Sequence, residues 1–170
     1  MSGPEPLFRV LFVCTGNTCR SPLAEVALRR ALGEFAGRVE VGSAGVAAWD
    51  GAPASGLARA VARQNGLDLE SHQSRRLGAD VLEGQDLVLL MDPADRARVA
   101  QLAGDSGVEI FALADFGQAR PTGEAIPDPF GGSPEAYEES LKRIESHLER
   151  VVPYILAELR EREVGARKPS

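Results

Sequence analysis

The chain has 170 residues, of which 44% are hydrophobic and 26% are charged, a composition typical of a globular protein. Its 25 acidic residues outnumber 19 basic ones and give a formal net charge of −6. This charge argues against a broad nucleic-acid interface and against binding to anionic membranes, because both need clustered basic residues. No apolar run approaches the length of a transmembrane helix, so we expect no membrane partner.

The chain termini and the two cysteines are informative about domain organisation and cellular location. Residues 1–6 contain two prolines and do not resemble a signal peptide. Cys14 and Cys19 lie in one short segment, unlike the spaced cysteines of a secreted disulfide framework. We expect a single domain over residues 1–170, with loose tails at 1–6 and 162–170, in the cytoplasm. The sequence does not indicate an oligomeric state.

The first predicted elements are a strand, a short polar loop and a helix. Leu7 to Val13 is apolar and β-prone, which is typical of a strand buried on both faces. Ser21 is a preferred N-cap and Pro22 suits the first helical position, so a helix is predicted from Pro22 to about Phe35. The loop between the two elements brings backbone N–H groups and a helix N-terminus together, which favours anion binding.

Cys14 and Arg20 stand at the two ends of this loop. A thiol beside cationic groups and a helix N-terminus ionises more readily than a free one, so we expect Cys14 to be a thiolate nucleophile at neutral pH. The guanidinium of Arg20 offers a planar pair of donors for two phosphate oxygens. The Ser21 hydroxyl is placed to hydrogen-bond the sulfur. The alternative is that Cys14 is a buried structural cysteine in a glycine-containing turn.

The rest of the chain alternates strands with helices. Further strands are predicted at Val39–Val41, Asp86–Met91 and Val108–Phe111. Further helices are predicted at Pro53–Gln64, Ala79–Leu82 and Pro93–Leu102, with Asp92 as a cap, and a last helix begins at Pro134 and is expected to kink at Pro153. Strands that are apolar throughout and alternate with helices indicate an α/β fold with a parallel sheet. Right-handed crossovers place the loop after the first strand at the carboxyl edge of that sheet, where such folds bind ligands.

Residues Cys14 to Pro22 read Cys-Thr-Gly-Asn-Thr-Cys-Arg-Ser-Pro and resemble the phosphate-binding loop of the low-molecular-weight protein tyrosine phosphatases, most closely the bacterial protein-arginine phosphatases. The resemblance implies a three-layer sandwich with a four-stranded parallel sheet, which agrees with the four predicted strands. It also implies hydrolysis of a phosphorylated protein through a phosphocysteine on Cys14, with Arg20 binding phosphate. The remaining loop residues implied to bind phosphate are Thr15, Gly16, Asn17, Thr18, Cys19 and Ser21. No metal-ligand spacing or nucleotide fingerprint occurs, so neither a metal nor another cofactor is expected.

The long loop over residues 114–132 carries the candidate general acid. Asp128 lies between two prolines, and by itself this pattern favours a plain Asp-Pro turn. The family carries its general acid in an Asp-Pro loop just before the last helix, so the resemblance assigns that role to Asp128. The family usually has two tyrosines after Asp-Pro, whereas this chain has Phe130 and Gly131, which gives the pocket a different rim.

Other positions match supporting roles in the family. The residues that match a hydrogen-bond network holding the loop are Asn17, Ser21, Ser43 and His72. Asn17 is predicted to adopt a left-handed conformation, which Asn tolerates. Without the resemblance, His72 would be interpreted as an ordinary loop histidine. Trp49 and Phe130 are candidates for the pocket walls, and each could equally cover the core.

Two loop residues leave alternatives open. Cys19 either traps an oxidised Cys14 as a disulfide or is a small buried filler. Thr18 stands where tyrosine-directed relatives commonly carry a larger apolar residue and where arginine phosphatases carry Thr, so phosphoarginine is favoured over phosphotyrosine. Two more distant alternatives remain for the function. An arsenate reductase on this fold typically uses a further cysteine pair, and because this chain has no cysteine after Cys19, that route would need an external thiol. A non-catalytic phosphate-binding module would not need Cys14, Arg20 and Asp128 together, and all three are present.

Overall fold

The computed structural model describes residues 8–167, and its strands form a parallel sheet. The strands are β1 (Phe8–Cys14), β2 (Val39–Gly45), β3 (Leu87–Leu90) and β4 (Glu109–Ala112). They lie in the order β2-β1-β3-β4, and each neighbouring pair is parallel. The predicted four-stranded α/β architecture is confirmed.

Helices connect and cover the strands. They are α1 (Arg20–Leu32), α2 (Gly56–Gln64), α3 (Ala79–Leu82), α4 (Arg96–Ala103) and α5 (Pro134–Arg167). Short 3-10 turns cover Gly33–Arg38, Pro93–Asp95 and Leu113–Asp115. The helix predicted from Pro93 is thus divided into a 3-10 turn and α4. Asp92 caps that turn as predicted, since its side chain accepts a hydrogen bond from Ala94 N at 2.9 Å. No helix within residues 8–167 combines the length and the hydropathy needed to cross a bilayer.

Both faces of the sheet are buried. Phe8 and Phe12 of β1 belong to an apolar cluster that includes residues of α1, α2 and α5. Leu11 and Val13 belong to a second cluster, which includes residues of α3 and α4. Because successive side chains of a strand point to opposite faces, the two clusters lie on opposite sides of β1. This arrangement explains why the predicted strands are apolar at nearly every position.

The strand order puts a topological switch point at the end of β1. β2 lies on one side of β1 and β3 on the other, so the direction of the connections reverses there. Open α/β sheets bind ligands at such a switch point, outside the carboxyl ends of the strands. The long loop reaches the same edge, because Ile126 N donates to Met91 O at 2.8 Å and Met91 N donates to Val13 O at 2.9 Å.

Helix α1 starts earlier than predicted. It begins at Arg20, so Ser21 lies inside the helix and is not its N-cap, a position that Cys19 occupies without a side-chain cap bond. The reason is that the Ser21 hydroxyl is engaged with Cys14 and Asn17 in the buried loop. The helix also ends earlier than predicted, because Gly33 leaves the helical conformation with a φ of 54°.

Strand β2 is longer than predicted. It continues past Val41 to Gly45 and pairs with β1 along its whole length, with Gly45 opposite Cys14. Glycines are poor strand residues, and pairing with a buried neighbour outweighs that preference here.

Helix α5 continues to Arg167, so the loose tail predicted from residue 162 is wrong as far as that residue. Arg162 pairs with Asp86, with Nη2 and Oδ1 2.7 Å apart, and lies 4.9 Å from the centre of the Phe8 ring. These contacts hold the last turns of the helix against the sheet. The helix passes through Pro153, and the kink expected there stays a prediction. The predicted tail residues 1–6, the predicted first strand residue at position 7 and residues 168–170 lie outside the described part of the chain.

Candidate active site

A cavity of about 190 Å³ lies at the carboxyl end of β1. It is lined by Cys14, Thr15, Gly16, Thr18, Cys19, Arg20, Asp128 and Phe130. The loop after β1 and the long loop before α5 therefore meet around one cavity. This is the grouping that the resemblance implied for the nucleophile, the phosphate-binding loop and the acid.

The sulfur of Cys14 receives hydrogen bonds from two sides. The backbone N–H of Asn17 donates to Sγ at 3.3 Å, and Ser21 Oγ lies 2.9 Å from Sγ. Ser21 Oγ already accepts a hydrogen bond from Asn17 Nδ2 at 2.8 Å, which leaves its own proton free to point at the sulfur. Two hydrogen-bond donors therefore lie against Cys14 Sγ.

Asn17 holds the middle of the loop. It is fully buried and has a φ of 56°, the left-handed conformation that the sequence predicts. Its Nδ2 donates to Ser43 Oγ at 2.9 Å, and its Oδ1 accepts from the backbone N–H of Arg75 at 2.9 Å. His72 Nε2 lies 2.7 Å from the Asn17 carbonyl oxygen. The structure thus brings Asn17, Ser21, Ser43 and His72 together, and these bonds fix the direction of the loop amides.

A partly buried carboxylate, that of Glu25, lies behind His72, with 13% of its side chain exposed. Because a carbonyl oxygen can only accept, Nε2 of His72 carries the proton that is shared with Asn17. Its Nδ1 faces Glu25 Oε2 at 3.9 Å. Burial raises the pKa of Glu25, while the charges of Arg29, His72 and Arg75 oppose that shift. Glu25 was not among the predicted site residues, because its contact with His72 joins distant parts of the chain.

Arg20 places a nearly buried cation at the cavity, with only 6% of its side chain exposed. Nη1 donates to Ile126 O at 3.0 Å, and Nη2 donates to Thr15 Oγ1 at 3.3 Å. Nε is buried and has no hydrogen-bond partner within residues 8–167. A permanent cation that is withdrawn from water and retains an unused N–H is suited to binding an anion.

Asp128 faces this cation from the long loop. Its Oδ2 lies 3.5 Å from Arg20 Nη2, and its side chain is 49% exposed. Its Oδ1 accepts a hydrogen bond from Phe130 N at 3.1 Å, which orients the carboxylate. Phe130 lines the cavity while its side chain remains 73% exposed, as expected for a residue at the rim.

Trp49 differs from its prediction as a pocket wall or core cover. It is 84% exposed and does not line the cavity. Its backbone oxygen accepts a hydrogen bond from Ser74, which fixes the loop while leaving the indole in solvent. The sequence could not separate these outcomes, because the direction of a loop side chain depends on the packing around it.

Gly45 is a site residue that the sequence analysis missed. A Cβ at this position would lie 2.5 Å from Thr15 O and 2.9 Å from Asn17 N. The backbone of the next residues also packs on the loop, since Val46 N donates to Cys14 O and Ala47 N donates to Thr15 O, each at 2.9 Å. The sequence shows only a glycine shortly after a predicted strand. Its close contact with the loop becomes apparent once the pairing of Gly45 with Cys14 is known.

Comparison with known proteins agrees with this geometry. A family model described as low molecular weight phosphotyrosine protein phosphatase matches residues 9–164. The probable low molecular weight protein-tyrosine-phosphatase EpsP of Ralstonia nicotianae is 33% identical over 148 residues, which cover 87% of this chain and 96% of that protein.

Solved structures of phosphatases are also similar to this chain. The YwlE arginine phosphatase from Geobacillus stearothermophilus has a TM-score of 0.80 at 33% identity, covering 91% of this chain and 96% of that chain. A cysteine-to-serine mutant of YwlE arginine phosphatase with a phosphorylated active-site serine has a TM-score of 0.77 at 32% identity, covering 87% and 95%. Since the family model spans nearly the whole chain, the protein belongs to the low molecular weight phosphotyrosine protein phosphatase family and is a protein phosphatase, a hydrolase.

Proposed function

We propose that this phosphatase acts through a phosphocysteine intermediate on Cys14. The observation that carries the proposal is the meeting of the Cys14 sulfur, the Arg20 guanidinium and the Asp128 carboxylate around one cavity. A phosphoryl group there would meet the loop N–H groups and the unpaired Nε of Arg20. The phosphorylated serine in the YwlE mutant supports a covalent intermediate, since in that protein the active-site side chain carries the phosphoryl group.

The proposed reaction has two steps. In the first, Cys14 Sγ attacks phosphorus, the S–P bond forms, the bond from phosphorus to the substrate side chain breaks, and Asp128 protonates the departing atom. In the second, Asp128 accepts a proton from water, the water oxygen attacks phosphorus, and the S–P bond breaks to release inorganic phosphate. Ser21 and the Asn17 N–H stabilise the departing thiolate, because both contact Sγ.

Phosphoarginine is the proposed substrate. Thr18 lines the cavity and is only partly buried, so its side chain is available to shape the space beside the bound phosphate. The Asp128 carboxylate can accept hydrogen bonds from a guanidinium, which is planar and rich in donors. Phosphotyrosine is the second candidate, because the EpsP relative, about as similar as YwlE, is described as a tyrosine phosphatase.

Hydrolysis of p-nitrophenyl phosphate without added metal tests the reaction. We expect the wild-type protein to release p-nitrophenol and Cys14→Ser to be inactive, because a hydroxyl in place of the thiol is a far weaker nucleophile. Mass spectrometry of the wild-type protein quenched during turnover should find one phosphoryl group on Cys14. Activity of Cys14→Ser near the wild-type level would exclude the mechanism.

Substrate preference is tested on proteins phosphorylated on arginine or on tyrosine. The variants are Thr18→Ile, which replaces threonine with a larger apolar side chain, and Thr18→Val, which replaces the hydroxyl with a methyl group at nearly constant shape. We expect wild type to prefer phosphoarginine and Thr18→Ile to shift the ratio of kcat/KM toward phosphotyrosine by about 10-fold or more, the scale of one pocket contact. An unchanged ratio in Thr18→Ile would contradict the specificity proposal without affecting the reaction itself.

We further infer that the protein is cytoplasmic and that its residues form one domain. Cys14 and Cys19 are both free thiols, which suits a reducing compartment. Cell fractionation tests the location, and recovery in an exported fraction would contradict it. A single cooperative transition in urea would support one domain, whereas two separate transitions would contradict it.

A further inference from the structure

The side chains of Cys19, Ser55 and Tyr137 form a closed ring of hydrogen bonds. Cys19 Sγ donates to Ser55 Oγ at 3.4 Å, and Ser55 Oγ donates to Tyr137 OH at 3.4 Å. Tyr137 OH lies 3.5 Å from Cys19 Sγ. Each group has one proton, so the proton of Tyr137 is the one left to complete the ring at the sulfur. Cys19 and Tyr137 are buried, with 4% and 2% of their surface exposed.

The ring joins three separate elements at the phosphate-binding loop. Ser55 is the N-cap of α2, where its Oγ accepts from Ala58 N at 3.2 Å, and its own N–H donates to Thr18 O at 2.9 Å. Tyr137 lies in the first turn of α5, which follows the loop that carries Asp128. Residues 18 and 19 are therefore fastened to both α2 and α5.

We infer that Tyr137 is a positioning residue whose hydroxyl, acting through Cys19, sets the geometry of the phosphate-binding loop relative to Asp128. The inference rests on the proposed function of the cavity. Asn17 and its partners hold the middle of the loop, while the ring holds its last residues before Arg20. Cys19 lines the cavity, whereas Ser55 and Tyr137 do not, so Tyr137 can affect the cavity only through its neighbours and is not itself catalytic.

The hydroxyl is suited to this role because it stays protonated. Burial raises the pKa of Tyr137, so the hydroxyl remains a donor over the pH range in which a thiolate mechanism operates. Tyr137→Phe keeps the ring in the core and removes only the hydroxyl. Ser55 then loses its acceptor and Cys19 loses its donor. We expect kcat to fall more than KM rises, because loop geometry matters most where charge develops in the transition state.

The first test compares p-nitrophenyl phosphate hydrolysis by wild type, Tyr137→Phe and the control Tyr154→Phe. Tyr154 is on the same helix, and its ring packs edge-on against Phe8 and Phe116, away from the cavity. We expect kcat to fall about three- to tenfold in Tyr137→Phe, the scale of one neutral hydrogen bond, and to stay at the wild-type value in Tyr154→Phe. A lower melting temperature with unchanged kcat in Tyr137→Phe would mean a purely structural role and overturn the inference.

A double-mutant cycle identifies the route. If Tyr137 acts through Cys19, its substitution should have little further effect on kcat in a Cys19→Ala background. Additive effects would overturn the inference. If wild type is active, Cys14→Ser is inactive and Tyr137→Phe matches wild type, the inference fails and the proposed function stands. An inactive wild-type protein would overturn both.

Discussion

The Asp128 carboxylate and the Arg20 guanidinium face each other across the cavity, with Oδ2 and Nη2 3.5 Å apart. The same guanidinium donates to Ile126 O at 3.0 Å, and Ile126 N donates to Met91 O at 2.8 Å at the end of β3. The loop of the proposed acid is therefore attached to the sheet and to the proposed phosphate-binding cation. In our proposal, Arg20 both holds phosphate and sets the place of Asp128.

Arg20→Lys should impair catalysis although it keeps the charge. The ammonium of lysine is compact and not planar, so it cannot contact Ile126 O, Thr15 Oγ1 and a phosphate at the same time. Both the phosphate oxygens and the loop that carries Asp128 would then lose hydrogen bonds. We expect kcat/KM for p-nitrophenyl phosphate to fall about 10²- to 10³-fold, the usual effect of losing a donor to a developing charge. Arg30→Lys, on the exposed side of α1, is the control and should retain wild-type kinetics. Near-normal activity of Arg20→Lys would exclude a role for the planar fork.

Asp128→Asn should affect substrates according to their leaving groups. Phenolate needs protonation to depart, whereas p-nitrophenolate is already a stable anion. We expect kcat for phenyl phosphate to fall about 10²- to 10⁴-fold, the usual range for a lost acid–base group, and kcat for p-nitrophenyl phosphate to fall less. Glu124→Gln removes an exposed carboxylate from the same loop and serves as the control. An equal loss with both substrates would argue against Asp128 as the acid.

Gly45→Ala should disturb the proposed phosphate-binding loop, because Gly45 packs against its backbone. The added Cβ would lie 2.5 Å from Thr15 O and 2.9 Å from Asn17 N, and these are backbone atoms that cannot move independently. We expect the free energy of unfolding in urea to fall by about 1–3 kcal/mol, as for other overpacked sites, together with a loss of kcat. Gly37→Ala is the control, because its Cβ would meet no atom within 4 Å. Unchanged kcat in Gly45→Ala would mean that the loop does not need this close contact.

Glu25→Gln should change the pH dependence of stability. Burial raises the pKa of Glu25 in the folded protein, so the protonated carboxyl is the better-tolerated form. Its contribution to stability is fully present below the unfolded-state pKa and is lost as pH rises through the folded-state pKa. Because glutamine does not ionise, we expect the free energy of unfolding of Glu25→Gln to increase relative to wild type as the pH rises above the ordinary pKa of a glutamate.

Urea denaturation at several pH values measures this difference, with Glu34→Gln as an exposed control on the following 3-10 turn. A constant difference between Glu25→Gln and wild type across the range would contradict the prediction. A wild type that gains stability over the mutant as pH rises would mean that the ion pairs with Arg29 and His72 outweigh burial.

Features that depend on residues close together in the chain could be predicted from the sequence, whereas features that depend on distant residues could not. The strands, the Asp92 cap and the left-handed Asn17 were predicted because each depends on residues close in the chain. The start of α1 was wrong because the side chain of Ser21 had two possible partners, and the buried loop used it rather than the helix end. The end of α5 was wrong because the ion pair of Arg162 with Asp86 joins residues far apart in sequence.

A parallel α/β sheet, and after its first strand a loop suited to anions, could be predicted from the sequence, because apolar strands, an Asn at a left-handed turn and a helix start are local signals. It also placed Cys14 and Arg20 at the two ends of that loop. The distant groups that support the loop became apparent from the packing of the folded chain: the Glu25–His72 pair, Gly45, the Ser55–Tyr137 hydroxyls and the position of Asp128 against Arg20. These contacts depend on how strands and helices pack, and packing is set by the whole core rather than by any one segment.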